Sequence, residues 1–343
     1  MKPRTGRVEN RKLGGPMSRR DFGLLLGAAA TATTSRLTAQ ALETPPRPIV
    51  KAHTLNHLAM GVTDIQRTTD WYQRAFGMPV RFGQGPSGAR VAVLRIGAGP
   101  EFLELVPLSG GAKPGFLHLG FGLQNVNRAA VDQVLAAWNV KAEWRTRKAA
   151  GGDVEELLIR DPDNLQIQIQ DTRYSAGGGP LGDQWSQGWT PPPQSTSPPV
   201  AVRCINHATF GSASKERAEK FYADLFGLRM MSWDYRPREP SKILGFVADS
   251  PRQFIAPGQG NIGISHYCLG VESFDRARIV KMLTDLGIAV QPAGGERKGC
   301  CGSGIMYGAG ETAFVRDPDG ITVQMTDMNY CAGTGPIGVI PAL

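Results

Sequence analysis

The chain has 343 residues, 41% hydrophobic and 20% charged, which is enough for two ordinary domains and too apolar for a disordered chain. With 43 glycines and 25 prolines it is rich in turns, which argues against a helical bundle. The net charge of +8 invites a nucleic-acid reading, but six of those charges fall within residues 1–41, and the nearly neutral remainder has no electrostatic reason to seek phosphate.

Residues 1–41 carry that basic head. "MSRRDFGLLLGAAATATTSRLTAQA" runs from Arg19-Arg20 through a short apolar stretch to Ala39-Gln40-Ala41. This is the order of an export signal of the twin-arginine type, and it predicts a periplasmic or otherwise exported protein. The apolar run is too short to span a bilayer, so no membrane span is expected in the mature form. Residues 42–52, "LETPPRPIVKA", form a Pro-rich leader.

From residue 53 the patterning becomes regular. "LNHLAMGV" reads as a strand and "DIQRTTDWYQRAFG" as a helix, with Ile65, Thr69, Tyr72 and Phe76 on one side and Gly77 as its stop. Strands are predicted at "MPVRFG", "RVAVLRIG" and "EFLELVP". The order then restarts: strand "FLHLGFGL", helix "NRAAVDQVLAAWN", strands "KAEWRTR", "VEELLIRDP" and "LQIQIQD". A Pro/Ser/Gln/Trp linker, 183–201, follows this first domain (53–182). The second domain (202–343) repeats the order with "INHATFGS", "SKERAEKFYADLFG", "RMMSWDY", "KILGFVAD" and "RQFIAP". It continues with "ISHYCLGV", "FDRARIVKMLTDLG", "VQPAG", "ETAFVRDP" and "ITVQMTD". The fold class is therefore α+β, built of βαβββ modules, two to a domain.

The two domains are copies. "TLNHLAMGVTD" (54–64) is echoed by "CINHATFGSAS" (204–214), and His118 corresponds to His266. "RDPDNLQIQIQDTRYSAGGGPLG" is echoed by "RDPDGITVQMTDMNYCAGTGPIG". The chain has five histidines, and four stand near the starts of equivalent strands. In "LNHLAMGV" alternation puts His57 with the small Ala59 and Gly61, and bulky Leu58, Met60 and Val62 on the other face. "FLHLGFGL" does the same for His118. Two such histidines on separate strands can converge on one point, while the bulky faces pack under helices.

This pattern closely resembles the vicinal oxygen chelate superfamily, the glyoxalase/bleomycin-resistance/extradiol-dioxygenase group, over nearly all of residues 53–331. The motifs that carry the resemblance are "NHLAMGVTD…WYQRAFGM", "FLELVP", "HLGFGL" and "RDPDNLQIQI", with their echoes in the second copy. It implies two glyoxalase-like domains, each a cupped sheet that can hold one divalent metal (Fe, Mn, Zn or Ni). By resemblance the first domain offers His57, Glu104, His118 and Gln168 as metal ligands, with Gln168 where the family usually has Glu. The second offers His207, His266 and Gln324, and has no carboxylate at the place of Glu104. Type I extradiol enzymes use two His and one Glu in that second domain, so the missing Glu weighs against standard dioxygenase chemistry there.

The other candidates remain open at this level. Glu104 is a metal ligand, a general base or the partner of a nearby Arg. Tyr174 and Tyr330 open the Gly-rich tails, and each either bonds a substrate oxygen or anchors its tail by packing; Tyr330 is the candidate catalytic tyrosine. Five cysteines, all in the second domain, form no Cys-x-x-Cys motif. The Gly-rich stretch 293–304 reads as a loop offering Arg297 and Lys298. The leading expectation is a metal-dependent dioxygenase, lyase or isomerase acting on a small molecule with neighbouring oxygens. The alternative is an exported binding protein of the bleomycin-resistance type, without turnover. The expected partners are that small molecule and a second copy of the chain in a homodimer.

Overall fold

The structure is a computed structural model and describes residues 49–85, 88–184, 188–194, 199–233, 241–246, 253–292 and 312–330. The export signal, most of the leader, Arg297 and Lys298, Cys300, Cys301 and Cys331, and the second Gly-rich tail lie outside the described residues. Arg47–Leu343 form one compact unit. Among the described residues no helix is long and apolar enough to cross a membrane.

The first half runs β1 (Ala52–Val62), α1 (Ile65–Phe76), β2 (Val80–Gln84), β3 (Arg90–Arg95), β4 (Phe102–Pro107), β5 (Gly115–Leu123), α2 (Arg128–Ala137), β6 (Glu143–Arg147), β7 (Val154–Arg160) and β8 (Gln166–Asp171). The second runs β9 (Val202–Ser212), α3 (Lys215–Phe226), β10 (Arg229–Trp233), β11 (Ser241–Gly245), β12 (Phe254–Gln259), β13 (Gly263–Val271), α4 (Arg276–Asp285), β14 (Thr312–Arg316) and β15 (Thr322–Asp327). Each half makes one sheet, in the orders β2-β3-β4-β1-β5-β8-β7-β6 and β10-β11-β12-β9-β13-β15-β14. This is the expected α+β fold of repeated βαβββ modules. One expected strand differs. "VQPAG" contributes only an isolated bridge, Val290 to Val315, so the second sheet has seven strands among the described residues.

Local signals explain the lead helices. Asp64 caps α1 by accepting from the backbone N–H groups of Gln66 and Arg67, and Gly77 ends it in the left-handed region that favours glycine. Ser214 and Gly227 do the same for α3. Thr69, Tyr72 and Phe76 are buried as their spacing predicts, and Ile65 is half-buried.

The bulky sheet faces do pack under helices, and those helices include ones from the other half. Phe121 of β5 meets Phe226 of α3 edge-on, with centroids 5.0 Å apart. The turns between the last strands of each half dock reciprocally. The Tyr72 hydroxyl donates to Asp317 at 3.2 Å, and that of Tyr222 donates to Asp161 at 3.0 Å. Asp319 takes Arg67 and Thr68 from α1, while Asp163 takes Arg217 from α3.

Where β1 meets β9, one side chain ties the halves together. Gln253 accepts from Leu55 N–H at 3.0 Å. Its Nε2, with two hydrogens, has three acceptors in reach: the carbonyls of Leu55 and Ile205 at 3.1 and 2.9 Å, and Glu101 at 3.0 Å. Glu101 in turn accepts from Ile205 N–H, and burial pushes its carboxyl up to about 8. Gln253→Ala leaves these buried backbone groups unpaired and opens a void, so it is expected to cost about 2–4 kcal/mol in denaturant unfolding. An unchanged unfolding midpoint would contradict this role.

Candidate functional site

The first cup is the concave face of the first sheet. Its edge strands converge on one segment: Arg81 of β2 donates to the carbonyl of Ala176 and Arg147 of β6 to that of Gly177 at 2.9 Å. At the centre β1 pairs with β4 and β5, so His57 lies opposite Phe102 on one side and Gly120 on the other. The Asn-His pair that heads β1 has a clear purpose. Asn56 Nδ2 donates to the carbonyl of Tyr174 at 2.8 Å, which turns its Oδ1 towards the imidazole. His57 Nδ1–H then donates to Asn56 Oδ1 at 2.9 Å. This fixes the tautomer and leaves a lone pair on Nε2. The ring lies flat on Phe102, with centroids 4.5 Å apart and planes within 8°. It also covers Gly120, where an added Cβ would come within 2.1 Å of it.

His118 Nε2 stands 3.1 Å from His57 Nε2, with the two rings at 89°. Gln168 of β8 lies beyond Gly120 in the same row and interacts with His57 through its side chain. Its Nε2 is buried without a hydrogen-bond partner. Burial, then the neighbouring His118, lowers the proton affinity of His57 well below the ordinary range. Burial, then Arg145, lowers that of His118 to about 4. Both rings are therefore neutral near pH 7.

The second cup repeats the device and then departs from it. Asn206 donates to the Tyr330 carbonyl at 2.9 Å, His207 Nδ1–H donates to Asn206 Oδ1 at 2.8 Å, and His207 stacks on Phe254. In the row of Gly120 stands Cys268, and in the row of Ala59 stands Thr209. The Thr209 hydroxyl lies 2.7 and 3.0 Å from the two ring nitrogens of His266 and engages that imidazole. His207 Nε2 faces Gln324 Oε1 at 3.2 Å, and Gln324 Nε2 is buried without a hydrogen-bond partner. Tyr330 is buried, its ring 6.3 Å from His207.

These donors pass a simple test for a cation. With Nδ1 protonated, His207 Nε2 is an acceptor, and it faces an amide oxygen, another acceptor. In the first cup the His57 lone pair faces His118 Nε2, which donates to it when it carries the ring proton and stands beside it as a second donor to a cation when it does not. Two nitrogens bound side by side at about 2.1 Å to one metal would lie about 3.0 Å apart. The donor set is His, His and Gln, all neutral. Among the described residues no three His, Cys, Asp or Glu side chains converge. Glu104 is not beside the histidine pair: it lies opposite Ala59, with Phe102 taking the place next to His57.

The sequence reading did not include the charged wall of this cup. Arg145 and Arg147 of β6 both pair with Glu156 of β7, at 2.7 and 2.6 Å. The Tyr174 hydroxyl donates to the same carboxylate at 2.7 Å, so this tyrosine both anchors its tail and lines the cup. Burial pushes Glu156 up, but the two arginines outweigh it and hold its carboxyl below the ordinary range. Glu104 is half-buried and has no hydrogen bond or ion pair among the described residues; burial, then Glu156, pushes its carboxyl up to about 7. The signal was present in "EWRTR", where Glu143, Arg145 and Arg147 alternate onto one face.

Residues 54–169 match the model of the Glyoxalase/Bleomycin resistance protein/Dioxygenase superfamily. No curated protein matches the chain in sequence. Among solved structures, the 2,3-dioxygenase LapB from Pseudomonas sp. KL28 is similar at 14% identity and a TM-score of 0.57, over 85% of this chain and 95% of that one. BphC, a halotolerant catechol dioxygenase, is similar at 15% identity and a TM-score of 0.55, over 81% and 87%. A variant of homoprotocatechuate 2,3-dioxygenase from B. fuscum is similar at 15% and 0.55, over 82% and 73%. At such identities the likeness is one of fold. Residues 54–169 thus carry a domain of the glyoxalase/dioxygenase superfamily, within a chain that has the two-domain fold of extradiol dioxygenases.

Proposed function

We propose that the first cup is the working site of a metal-dependent enzyme of the vicinal oxygen chelate type, acting on a small molecule with neighbouring oxygens. The observation that carries this reading is the pair of imidazole Nε2 atoms 3.1 Å apart, with the His57 tautomer set by Asn56 so that its Nε2 offers a lone pair. His57, His118 and Gln168 would hold the cation, whether Fe, Mn, Zn or Ni. When bound, it supplies a Lewis acid for two adjacent substrate oxygens.

The chain's own residues do the rest. Asn56 keeps the His57 tautomer, while Phe102 and Tyr174 wall the imidazole from water. Glu104 lies in the row of Ala59 and His118, two strands from His118, a span of about 10 Å that a small molecule can bridge. With its carboxyl near neutrality it is suited to take a proton from carbon or oxygen beside the held oxygens. This favours proton-transfer chemistry, an isomerase or lyase, over oxygen insertion. The second cup lacks a counterpart, since Ala256 stands where Glu104 does and Thr209 engages His266.

A second reading has one observation in its favour. The three donors are all neutral and stand near Arg145 and Arg147, which suits a metal-free binding cup without turnover. Metal analysis of the purified full chain separates the two. About one equivalent of cation is expected, lost in His57→Ala and His118→Ala and kept in His266→Ala. Protein that stays metal-free after incubation with Fe, Mn, Zn and Ni salts would leave the binding reading.

Two further variants probe the geometry. Gln168→Glu adds a charged donor and is expected to slow cation loss to a chelator by about tenfold or more. An unchanged rate would remove residue 168 from the ligand set. Gly120→Ala places a methyl where the His57 ring now lies. It is expected to abolish cation retention while the folded far-UV spectrum persists, and full retention would refute the ring placement.

A further inference from the structure

In the wall opposite Glu104 two arginines share one carboxylate. Arg145 and Arg147 share a single carboxylate, Glu156, and among the described residues neither has another acidic partner. The Tyr174 hydroxyl also donates to Glu156, so this acceptor is already heavily used. A guanidinium that only shares its carboxylate in a partly desolvated wall favours a ligand that brings a second one.

The two guanidiniums differ in what they have left to offer. Arg147 bonds Glu156 through Nε, and its Nη2 donates to the carbonyl of Gly177 at 2.9 Å. Its side chain is 9% exposed. Arg145 uses only Nε, on Glu156 at 2.7 Å, and among the described residues its Nη1 and Nη2 have no partner. Its side chain is 30% exposed, so solvent reaches it. Those two nitrogens form the planar fork that receives both oxygens of a carboxylate. Arg145 lies opposite Glu156, two residues along β7 from Leu158, which pairs with Gln168, so its side chain shares the concave face with Gln168.

We propose that Arg145 is the anion-recognising residue of the first cup, and that the substrate is a small carboxylate whose charged group docks on the free Arg145 nitrogens while its other end faces the histidine pair. This rests on the first cup being the ligand site, but the docking itself needs no metal. Glu104, the acid across the cup, is left for proton transfer because it makes no ion pair with either arginine among the described residues.

The test uses benzoate and its uncharged analogue benzamide as probes, titrated calorimetrically into the full chain as purified and after chelator treatment. Benzoate is expected to bind about tenfold or more tightly than benzamide in both preparations, as a charge-assisted bidentate pair would give. Arg145→Gln is expected to remove that preference while keeping any bound cation. Arg145→Lys retains the charge without the fork and should keep part of it, which also covers the case in which Arg145→Gln does not fold. His57→Ala is expected to lose the cation and keep the preference, so failure of the metal reading leaves this one standing. Equal affinity for the two probes in the unsubstituted chain, or an undiminished benzoate preference in Arg145→Gln or Arg145→Lys, overturns the proposal.

Discussion

A carboxamide that commits its N–H to a main-chain carbonyl must show its oxygen to whatever lies on the other side. That constraint organises both cups. Asn56 and Asn206 each hold the carbonyl of the tyrosine that opens the tail and, through the opposite atom, the Nδ1–H of the adjoining histidine. In the first cup the start of the tail and the tautomer of the ring at the floor are thereby set by one side chain. The aromatic ring on the neighbouring strand, Phe102 or Phe254, then leaves the imidazole little freedom except to aim Nε2 inward.

The halves share this device and differ in what surrounds it. Gly120 gives His57 room to lie over the strand and reach His118. Cys268 occupies that place in the other half, and Thr209, in place of Ala59, engages His266 with its hydroxyl. In both cups the rings stand edge to face, with centroids 5.2 and 5.7 Å apart; two changes of small side chains go with a pair whose Nε2 atoms face each other in the first and a His266 engaged by Thr209 in the second. In the first cup, among the described residues, Glu156 also gathers two arginines and a phenol.

Much of this was legible in the sequence, and for identifiable reasons. Period-two and period-3.6 patterning, with Asp64 and Gly77 as punctuation, located the strands and helices of the first half. Alternation put His57 and His118 on faces with small neighbours, which is how they stand. The failures came where distance along the chain hid a partner. Glu104 looked like a ligand because an acid amid apolar residues demands a reason, but strand register sets it opposite Ala59. Glu156 draws Arg145 from across a hairpin and Tyr174 from beyond the next strand. No local pattern announces that Gln253 will serve residues 198 and 48 positions away.

Glu101 and Gln253 occupy corresponding places, each just ahead of the phenylalanine that supports its histidine, and they meet where the two halves are joined. In an assembly of identical halves the same residue would confront itself there. Two first halves would set acid against acid in a dry setting, with no amide to mediate. Joining unlike copies in one polypeptide permits an acceptor to meet a donor, and it discourages the first half from choosing its own twin. The duplication has therefore become a handed pair, in which the acid of one copy depends on the amide of the other.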